Sequence, residues 1–511
     1  MGLRPSPGPC NNDLVRILGI ETSCDDTAIA VVEDRTKVLS SIVSSQTDLH
    51  RAYGGIVPEL ASRHHLQNIE PILREALAAA GMTLSDLTGV SGTSTTYHPS
   101  ILSTSSYTAG STDHASPPVS SGPHGPVALS GSAEDAGRPG IDAIAVTAGP
   151  GLIGSLLVGV SFAKALAWAT KRPLVAVNHL EGHVRAAFLE NPDTPYPALA
   201  LIVSGGHTSL YVCPEEGVYR MVARTRDDAS GEAFDKAARL LGLGYPGGPI
   251  IDRLAKHGDP AAVAFPRARM SDGSLDFSFS GLKTALLRHA KATGLAVERT
   301  APSTPYDPHG PERRPVPDAN VDFPAAESDL AERSPAAAGV DAGRTPAGRD
   351  RAATREGDET MSGARAPAPE RPPAGHDSAA CGESAGTSPA VGVAPRQEIC
   401  DIAASFQRAV VDVLIDRTLA AAAAEGVRSV IVSGGVACNS LLRAEMRAAC
   451  EARGLVVAIP SPRYCTDNAA MIAAAGFLHF ERGETAGFDL TATPGWRLGG
   501  PEAARTTLRH K

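Results

Sequence analysis

Two histidines four residues apart, His179 and His183, have the spacing in this sequence that most directly suggests chemistry. They follow the apolar, strand-like run 173–177. On an α-helix, positions i and i+4 lie on one face about one turn apart, so two neutral imidazoles there can bind one divalent transition metal. Two ligands do not hold a metal, so a third ligand must come from elsewhere. The pair alone is also explained by two surface or capping histidines.

A histidine pair of this spacing also occurs in zinc metalloproteases, whose motif places a glutamate directly after the first histidine. Here Leu180 follows His179, and Glu181 comes one residue later. Residues two apart on an α-helix point roughly 200° away from each other around the axis. The sequence therefore argues against a metalloprotease.

Two predicted β-hairpins have turns made of small polar residues. The first turn is ETSCDD (21–26) and the second is SGGHT (204–208), and each lies between two apolar runs. A turn that only reverses the chain more often uses Asn-Gly or Asp-Gly. These turns are therefore candidates for holding a phosphate or another part of a substrate.

Two further segments have the order strand, glycine turn, helix. One is a strand at 141–146 with the turn TAGPG and a helix to about Thr170; the other is a strand at 427–432 with SGGVACN and a helix. A glycine turn at a helix N-terminus favours an anion, although it also suits a tight chain reversal. The first is not a Walker A loop, because no Gly-Lys-Ser/Thr follows. Paired hairpins and paired units predict two related α/β halves around a nucleotide cleft.

The domain boundaries follow from changes in composition. Two segments rich in Pro, Gly, Ala and Ser or charged residues have no apolar periodicity, and such segments cannot bury enough apolar surface to offset chain entropy. We expect the last helix to pack back on the first lobe. The predicted parts are a tail (1–13), a first lobe (14–177) with a disordered insertion (92–139), a second lobe (178–490) with a disordered insertion (296–396), and a C-terminal tail (491–511).

Composition limits the class of protein. The 511 residues are 42% hydrophobic and carry a net charge of −9, so bulk charge does not indicate nucleic-acid binding. The eight cysteines form no C-x-x-C pair, which favours free thiols in a reducing compartment. The first 13 residues lack the apolar stretch of a signal peptide, and glycine and proline interrupt the long apolar run near 143–163. We predict a cytoplasmic protein with no membrane partner.

Seven motifs follow one another in fixed order, and together they resemble one family. They are GIETSCDD (19–26), YGGIVPELASR (53–63), NHLEGH (178–183), VSGGHT (203–208), GEAFDK (231–236), FSFSGLK (277–283) and CTDN (465–468). This set is similar to the bacterial tRNA N6-adenosine threonylcarbamoyltransferase family (TsaD, with Kae-type relatives in archaea and eukaryotes). The resemblance covers almost the whole chain outside the tails and insertions. It implies a two-lobed actin-like ATPase/sugar-kinase (RNase H-like) fold.

The resemblance also implies an activity, ligands and partners. The activity is transfer of the threonylcarbamoyl group from threonylcarbamoyl-AMP to the N6 amine of adenosine 37 in tRNAs that read codons beginning with A. One divalent metal, Fe²⁺ ahead of Zn²⁺, would be held by His179, His183 and Asp467. The implied partners are tRNA, threonylcarbamoyl-AMP, a pseudo-paralogous subunit and a small ATPase. The implied substrate-binding residues are Ile202, Val203, Ser204, Gly205, Gly206, Asp235, Gly248, Asp252 and Asn439.

The chemistry of these residues suits an adenylate. Glycines such as Gly205 and Gly206 let backbone donors approach a phosphate, and Asp235 and Asp252 suit ribose hydroxyls. The catalytic residue is left open, with Asp25 and Asp26 as candidate contributors. The family often has Asp-Glu at that pair, so the second carboxylate here is one methylene shorter, and both insertions are longer than the family's usual connections.

Two other functions are left open by the residues alone. An O-carbamoyltransferase of the same superfamily, acting on a small molecule, would share the fold and the use of a metal. Such enzymes usually carry an extra region that processes carbamoyl phosphate, and the surplus length of this chain has no globular character. A non-enzymatic tRNA-binding or scaffold subunit would not need a metal triad together with an adenylate cleft.

Overall fold

The computed structural model describes residues 14–88, 140–294 and 397–500. The predicted N-terminal tail and both predicted insertions, 92–139 and 296–396, lie outside these residues.

The first half of the chain forms one sheet with flanking helices. Four of its five strands coincide with apolar runs of the sequence. Residues 60–80 have helical periodicity and form the helix Pro58–Ala79, which begins with proline at a position where its missing N–H has no cost. The elements are β1 (Arg16–Glu21), β2 (Asp26–Glu33), β3 (Lys37–Ser45), α1 (Thr47–Arg51), α2 (Pro58–Ala79), α3 (Leu84–Thr88), β4 (Ala143–Gly149), α4 (Ile153–Thr170), β5 (Leu174–Asn178) and α5 (His179–Ala186).

The second half repeats this pattern with a second sheet. The elements are β6 (Ala198–Val203), β7 (Thr208–Cys213), β8 (Arg220–Arg224), α6 (Ser230–Leu240), α7 (Gly247–Ala255), α8 (Ser280–Thr293), α9 (Gln397–Glu425), β9 (Ser429–Ser433), α10 (Ser440–Glu451), β10 (Val456–Ala458), α11 (Pro462–Cys465) and α12 (Ala469–Glu481). The helical periodicity of residues 399–423 predicts a helix there, and α9 is two residues longer at each end.

The two five-stranded sheets have the same topology. The first has the order β3-β2-β1-β4-β5 and the second has β8-β7-β6-β9-β10. In each, three consecutive strands form an antiparallel meander. A later strand pairs in parallel with the free side of the first strand, and the last strand pairs in parallel with that one. The prediction of two related α/β halves is confirmed.

The first sheet is covered on both faces. Side chains alternate along β1, so Leu18 and Ile20 pack in the core formed with α2 and α4, whereas Ile17 packs in the core formed with α12. Burial on both faces explains why β1, β2 and β4 are nearly continuous apolar runs.

The last helix, α12, packs on the first sheet although its sequence lies far from it. Its alanine-rich sequence lets the helix backbone approach the sheet closely. A Cβ added to Gly19 of β1 would overlap the carbonyl oxygen of Ala469 and come within 2.8 Å of the Ala473 nitrogen. On the helix side, a Cβ on Gly476 would lie 2.5 Å from the Cβ of Ala145. Glycine at both points is therefore a steric requirement of this interface.

Residues 491–500, assigned above to a C-terminal tail, pack against the folded core. The Thr493 N–H donates to the Ala148 carbonyl at 2.7 Å, and the Trp496 ring packs on the core of the first sheet. Leu498 is buried in the core of the second sheet. The residues that end the segment, 501–511, lie outside the described residues.

Helix α4 is the one described helix that is long and apolar enough to cross a membrane by length and composition. Core helices meet the same criterion. The inner face of α4, with Val160, Ala163 and Ala167, is buried in the core of the first sheet, so its apolar character has a structural explanation.

A partly buried charged group joins α12 to α5. The His479 imidazole lies with Nε2 2.9 Å from Glu181 Oε2 and Nδ1 2.6 Å from Glu484 Oε2. Burial lowers the pKa of His479, but the two carboxylates outweigh burial and raise the pKa to about 10. The imidazolium thus stays charged at neutral pH and holds the two helices together.

We expect His479→Gln to lower the free energy of unfolding by about 3 kcal/mol at pH 6, because the variant leaves two carboxylates without their cation. The folded-state pKa of His479 is higher than the unfolded value of about 6.5. The protonated ring therefore stabilises the folded state fully below about pH 6.5, and this stabilisation is lost as the pH rises through about 10. Urea unfolding at pH 6, 8 and 10 should show that the difference in free energy of unfolding between the variant and the parent becomes smaller as the pH rises. His257→Gln, at an exposed histidine, is the control. A difference that does not change with pH would contradict this assignment.

Candidate metal and nucleotide site

The predicted histidine pair lies at the start of a fully buried helix. α5 begins at His179, directly after β5, and the Asn178 side chain caps it by accepting from the Leu180 N–H at 2.9 Å. The imidazoles of His179 and His183 lie on one face with ring centroids 4.7 Å apart. The other face of α5 packs Leu180 and Val184 into the core of the second sheet. The helix that carries the histidines is therefore fixed between the two halves.

Asp467 lies beside both histidines, in the loop between α11 and α12. Its Oδ1 is 3.6 Å from His179 Nε2 and 3.3 Å from His183 Nε2. Asn468 caps α12 by accepting from the Met471 N–H at 2.9 Å, which fixes the loop relative to the helix. One ligand atom from each of the three residues lies within 4.8 Å of the others. The structure thus brings together all three predicted metal ligands.

The chemistry of this donor set fits a divalent metal. Both ring nitrogens of His183 are buried without a hydrogen-bond partner among the described residues, and burial lowers the pKa of that ring. Burial also lowers the pKa of His179, but the Asp467 and Glu21 carboxylates outweigh it and raise the pKa to about 9. A cation is thus favoured at this point, and a metal would replace the proton. Two imidazoles and one carboxylate leave coordination positions open for a substrate.

Several side chains behind His179 orient its ring, and none of them is among the site residues predicted from the sequence. Glu21 is buried, and its Oε2 lies 3.0 Å from His179 Nδ1 and accepts from Thr147 Oγ1 at 2.6 Å. Ser23 Oγ lies 3.1 Å from the same ring nitrogen. A carboxylate on the rear nitrogen fixes the ring so that Nε2 faces Asp467. The available signal was a glutamate ending an otherwise apolar strand, because a buried carboxylate needs a partner.

His207 is a further residue that the sequence analysis did not assign. Burial lowers its pKa, and the nearby His179 and His183 lower it further, to about 4. The ring is thus neutral and close to the metal ligands. Because His207 belongs to the turn between β6 and β7, its position brings the glycine turn of the second sheet next to the metal ligands.

The predicted phosphate turn has an open face. Ile202 and Val203 are buried in β6, and the chain then turns at Ser204, whose N–H donates to the His207 carbonyl at 2.8 Å. A Cβ on Gly205 or Gly206 would meet nothing within 4 Å, so the space beside this turn is free.

Two neighbouring glycines pack closely against the backbone at the base of this turn. A Cβ on Gly231 would lie 2.7 Å from the Ser204 carbonyl oxygen, and one on Gly434 would lie 2.6 Å from the Val203 carbonyl carbon. Gly434 also has φ +100°, which favours glycine. The turns after β6 and β9 and the start of α6 therefore converge at one edge of the second sheet.

The other predicted adenylate residues lie around this edge. Asp235 Oδ1 accepts from the Gly247 N–H at 2.7 Å, which places it beside Gly248. Asp252 Oδ1 accepts from Ser440 Oγ at 2.8 Å. Asn439 caps α10 by accepting from the Leu442 N–H at 3.0 Å. The carboxylates and the amide are thus also used to hold the α6–α7 and α7–α10 junctions together.

Asp25 is near enough to Asp467 and to Asp235 for both carboxylates to affect its pKa. Burial raises its pKa first, and the Asp467 and Asp235 carboxylates raise it further. Burial also raises the pKa of Asp26 to about 7, helped by Asp25, but the Asp26 carboxyl is hydrogen-bonded by Ser45 of β3. Of the two candidate contributors, Asp25 is the one whose pKa responds to both Asp467 and Asp235.

Solved structures of similar shape share little sequence with this chain. Full-length HypF in its phosphate- and nucleotide-bound form has a TM-score of 0.41 with 10% identity, over 92% of this chain and 55% of that protein. The ROK hexokinase from Thermus thermophilus has a TM-score of 0.35 with 12% identity, over 92% of this chain and all of that one.

The sequence comparisons are closer and extend over nearly the whole chain. The model of the family described as TsaD, tRNA N6-adenosine threonylcarbamoyltransferase, matches residues 37–95 and 134–474. The protein of that name from Anaeromyxobacter dehalogenans strain 2CP-1 is 40% identical over 95% of this chain and all of its own. The one from Symbiobacterium thermophilum is 40% identical over 94% of this chain and 97% of its own. The chain belongs to the tRNA N6-adenosine threonylcarbamoyltransferase family.

Proposed function

We propose that this chain transfers the threonylcarbamoyl group from threonylcarbamoyl-AMP to the N6 amine of adenosine 37 in tRNAs that read codons beginning with A, with release of AMP. The relatives that are 40% identical over 94–95% of this chain carry the name of this activity. The observation that carries the proposal is the cluster of His179, His183 and Asp467, whose ligand atoms lie within 4.8 Å of one another.

In our proposal a divalent metal, Fe²⁺ ahead of Zn²⁺, is held by His179, His183 and Asp467 and polarises the carbamoyl carbonyl when it is bound. Glu21 holds the His179 ring in orientation from behind, and Thr147 holds Glu21. Ser204, Gly205 and Gly206 present the open turn to the adenylate phosphate, and Asp235, Gly248, Asp252 and Asn439 surround the rest of the adenylate. The chain's own residues thus position the donor group with its carbonyl toward the metal ligands.

The reaction exchanges one bond of the carbamoyl carbon for another and transfers one proton. The N6 amine forms a C–N bond to the carbamoyl carbon, the bond from that carbon to the phosphate oxygen of AMP breaks, and the amine must lose a proton. We assign the acceptance of this proton to Asp25, because burial and the neighbouring carboxylates raise its pKa and make it a better base. AMP keeps the electron pair of the broken bond.

We further propose that the protein works in the cytoplasm with a pseudo-paralogous subunit and a small ATPase, as members of this family do. The alternative, an O-carbamoyltransferase acting on a small molecule, is not favoured, because the relatives that match the whole chain carry the tRNA-modifying name.

Mass spectrometry of tRNA nucleosides tests the function directly. Depleting this protein from its host should remove threonylcarbamoyladenosine from bulk tRNA, and expressing the full chain again should restore it. Another modified nucleoside, pseudouridine, is the internal control and should not change. An unchanged level of threonylcarbamoyladenosine after depletion would exclude the proposed function.

A further inference from the structure

A buried histidine of α2 contacts the turn between β1 and β2, residues 22–25, from behind. The His65 side chain is fully buried, and its Nε2 lies 3.0 Å from the Cys24 carbonyl oxygen. Its Nδ1 lies 2.8 Å from Oγ1 of Thr27, which belongs to β2. His65 thus connects the middle of α2 both to the turn and to the strand that follows it. It has no part in the transfer mechanism above.

The partners of His65 determine which of its ring nitrogens carries the proton. A carbonyl oxygen can only accept, so Nε2 must carry the hydrogen and donate it to Cys24. Burial lowers the pKa of His65, so the ring is neutral at pH 7, and Nδ1 accepts from the Thr27 hydroxyl. Both ring nitrogens are therefore satisfied, and the two hydrogen bonds define one orientation of the ring.

The turn is also held from a second helix, α4. Ser155 Oγ, in the first turn of α4, donates to the Cys24 carbonyl at 3.1 Å. The preceding carbonyl, that of Ser23, accepts from the Leu152 N–H at 2.8 Å. Helices α2 and α4 thus hold two adjacent carbonyl groups of the turn. Because a peptide unit is planar, the two donors to the Cys24 oxygen also fix the backbone nitrogen of Asp25.

The same turn carries groups that contact the predicted metal ligand His179. Ser23 Oγ lies 3.1 Å from His179 Nδ1, and the Ser23 N–H donates to Glu21 Oε1. The other oxygen of Glu21, Oε2, lies 3.0 Å from the same ring nitrogen of His179. A shift of the turn would move the Ser23 hydroxyl away from His179 and would break the hydrogen bond between Ser23 and Glu21. His65 is thus connected to His179 through Cys24 and Ser23.

We propose that His65 is a positioning residue for the transfer reaction. By holding the Cys24 carbonyl, it keeps the Ser23 hydroxyl and the Glu21 carboxylate against His179. Loss of this hold should lower kcat about tenfold, because groups that orient a metal ligand contribute about 10- to 100-fold. The KM for threonylcarbamoyl-AMP should not change, since the residues proposed to hold the adenylate belong to the second half of the chain. The effect on kcat rests on the proposed function.

Two substitutions each keep one of the two contacts of His65. A glutamine amide reaches the position of Nε2 and can donate to the Cys24 carbonyl, whereas an asparagine amide reaches only the position of Nδ1 and can accept from Thr27. His65→Gln should therefore keep most of the parent's kcat, and His65→Asn should lose about tenfold in kcat at an unchanged KM. Equal losses of kcat in the two variants would overturn the proposal.

Thr27→Val is the matched control on the other side of the ring. It removes the hydroxyl that contacts Nδ1 and leaves the hydrogen bond from Nε2 to Cys24. Its free energy of unfolding should fall, as in His65→Asn, but its kcat should equal that of the parent. A kcat of Thr27→Val as low as that of His65→Asn would mean that kcat follows stability, and it would overturn the proposal.

Hydrogen–deuterium exchange of the full chain, without donor or tRNA, gives a measurement that does not depend on activity. The amides of residues 22–25 should exchange faster in His65→Asn than in the parent, and His65→Gln should exchange like the parent. Parent-like exchange in His65→Asn would overturn the proposal. If the parent chain does not transfer the threonylcarbamoyl group, the proposed function fails, and the exchange rates still show whether His65 holds the turn.

Discussion

Asp467→Ala should lower the affinity for a divalent metal by at least tenfold and abolish threonylcarbamoyl transfer. The carboxylate is the only predicted ligand that comes from outside α5, and its Oδ1 lies within 3.6 Å of both imidazoles. Removing it leaves two ligands, and even the loss of a supporting group around a metal typically costs 10- to 100-fold in affinity. Metal analysis and a transfer assay on the purified variant measure both effects.

The variant should remain folded, because Asn468 still caps α12 and a core of this size does not depend on one ion. Asp416→Ala, at an exposed position of α9, is the matched control and should keep metal and activity. Full metal content and full activity in Asp467→Ala would show that the third ligand is misassigned. Normal circular dichroism spectra of both variants would exclude unfolding as the cause of the lost metal affinity and activity.

Gly19→Ala should strongly destabilise the packing of α12 on the first sheet. The new Cβ would overlap the Ala469 carbonyl oxygen and lie 2.8 Å from the Ala473 nitrogen. Both are backbone atoms of α12, so no side chain can rotate away, and the helix must move off the sheet. Adding atoms to a packed core costs about 1–3 kcal/mol, occasionally more, and we expect about 3 kcal/mol here by urea unfolding.

The displacement should also reach the site, because Asp467 is fixed to the start of the same helix. Metal affinity of Gly19→Ala should therefore fall even under conditions where the protein is folded. Gly281→Ala is the control: the glycine is exposed in the first turn of α8, and a Cβ there meets nothing within 4 Å. The Gly281→Ala substitution should leave the free energy of unfolding unchanged or raise it slightly. Equal stability of the two variants would contradict the close approach of α12 to β1.

Most of the fold could be predicted from periodicity, and the exceptions have physical causes. The apolar runs indicated β1, β2, β6 and β7, and helical periodicity indicated α2, α4 and α9. The edge strands β3 and β8 were not predicted, because an edge strand is partly exposed and its sequence is not continuously apolar. The strand predicted at 141–146 continues to Gly149, because Thr147 and Gly149 stay paired with β5. From the sequence alone, Thr147 and Gly149 are predicted to lie in a turn.

The site was less predictable than the fold. The spacing of His179 and His183 predicted a shared helical face, but nothing in the spacing pointed to Asp467, which came from the family resemblance. Glu21 and His207 were not assigned, because their roles depend on which loops lie side by side in space. A single sequence shows the periodicity within each helix or strand, but it gives no distances between these elements.

The position of α12 has a consequence for synthesis on the ribosome. The first sheet is complete at β5, which ends at Asn178, but the helix that covers one of its faces begins at Ala469. At roughly 5–20 residues per second, the nearly 300 intervening residues take on the order of 15–60 s to translate. During that time the apolar face with Ile17 and Val175 has no partner helix. The nascent first lobe should therefore be a client of ribosome-associated chaperones until the C-terminal helix emerges.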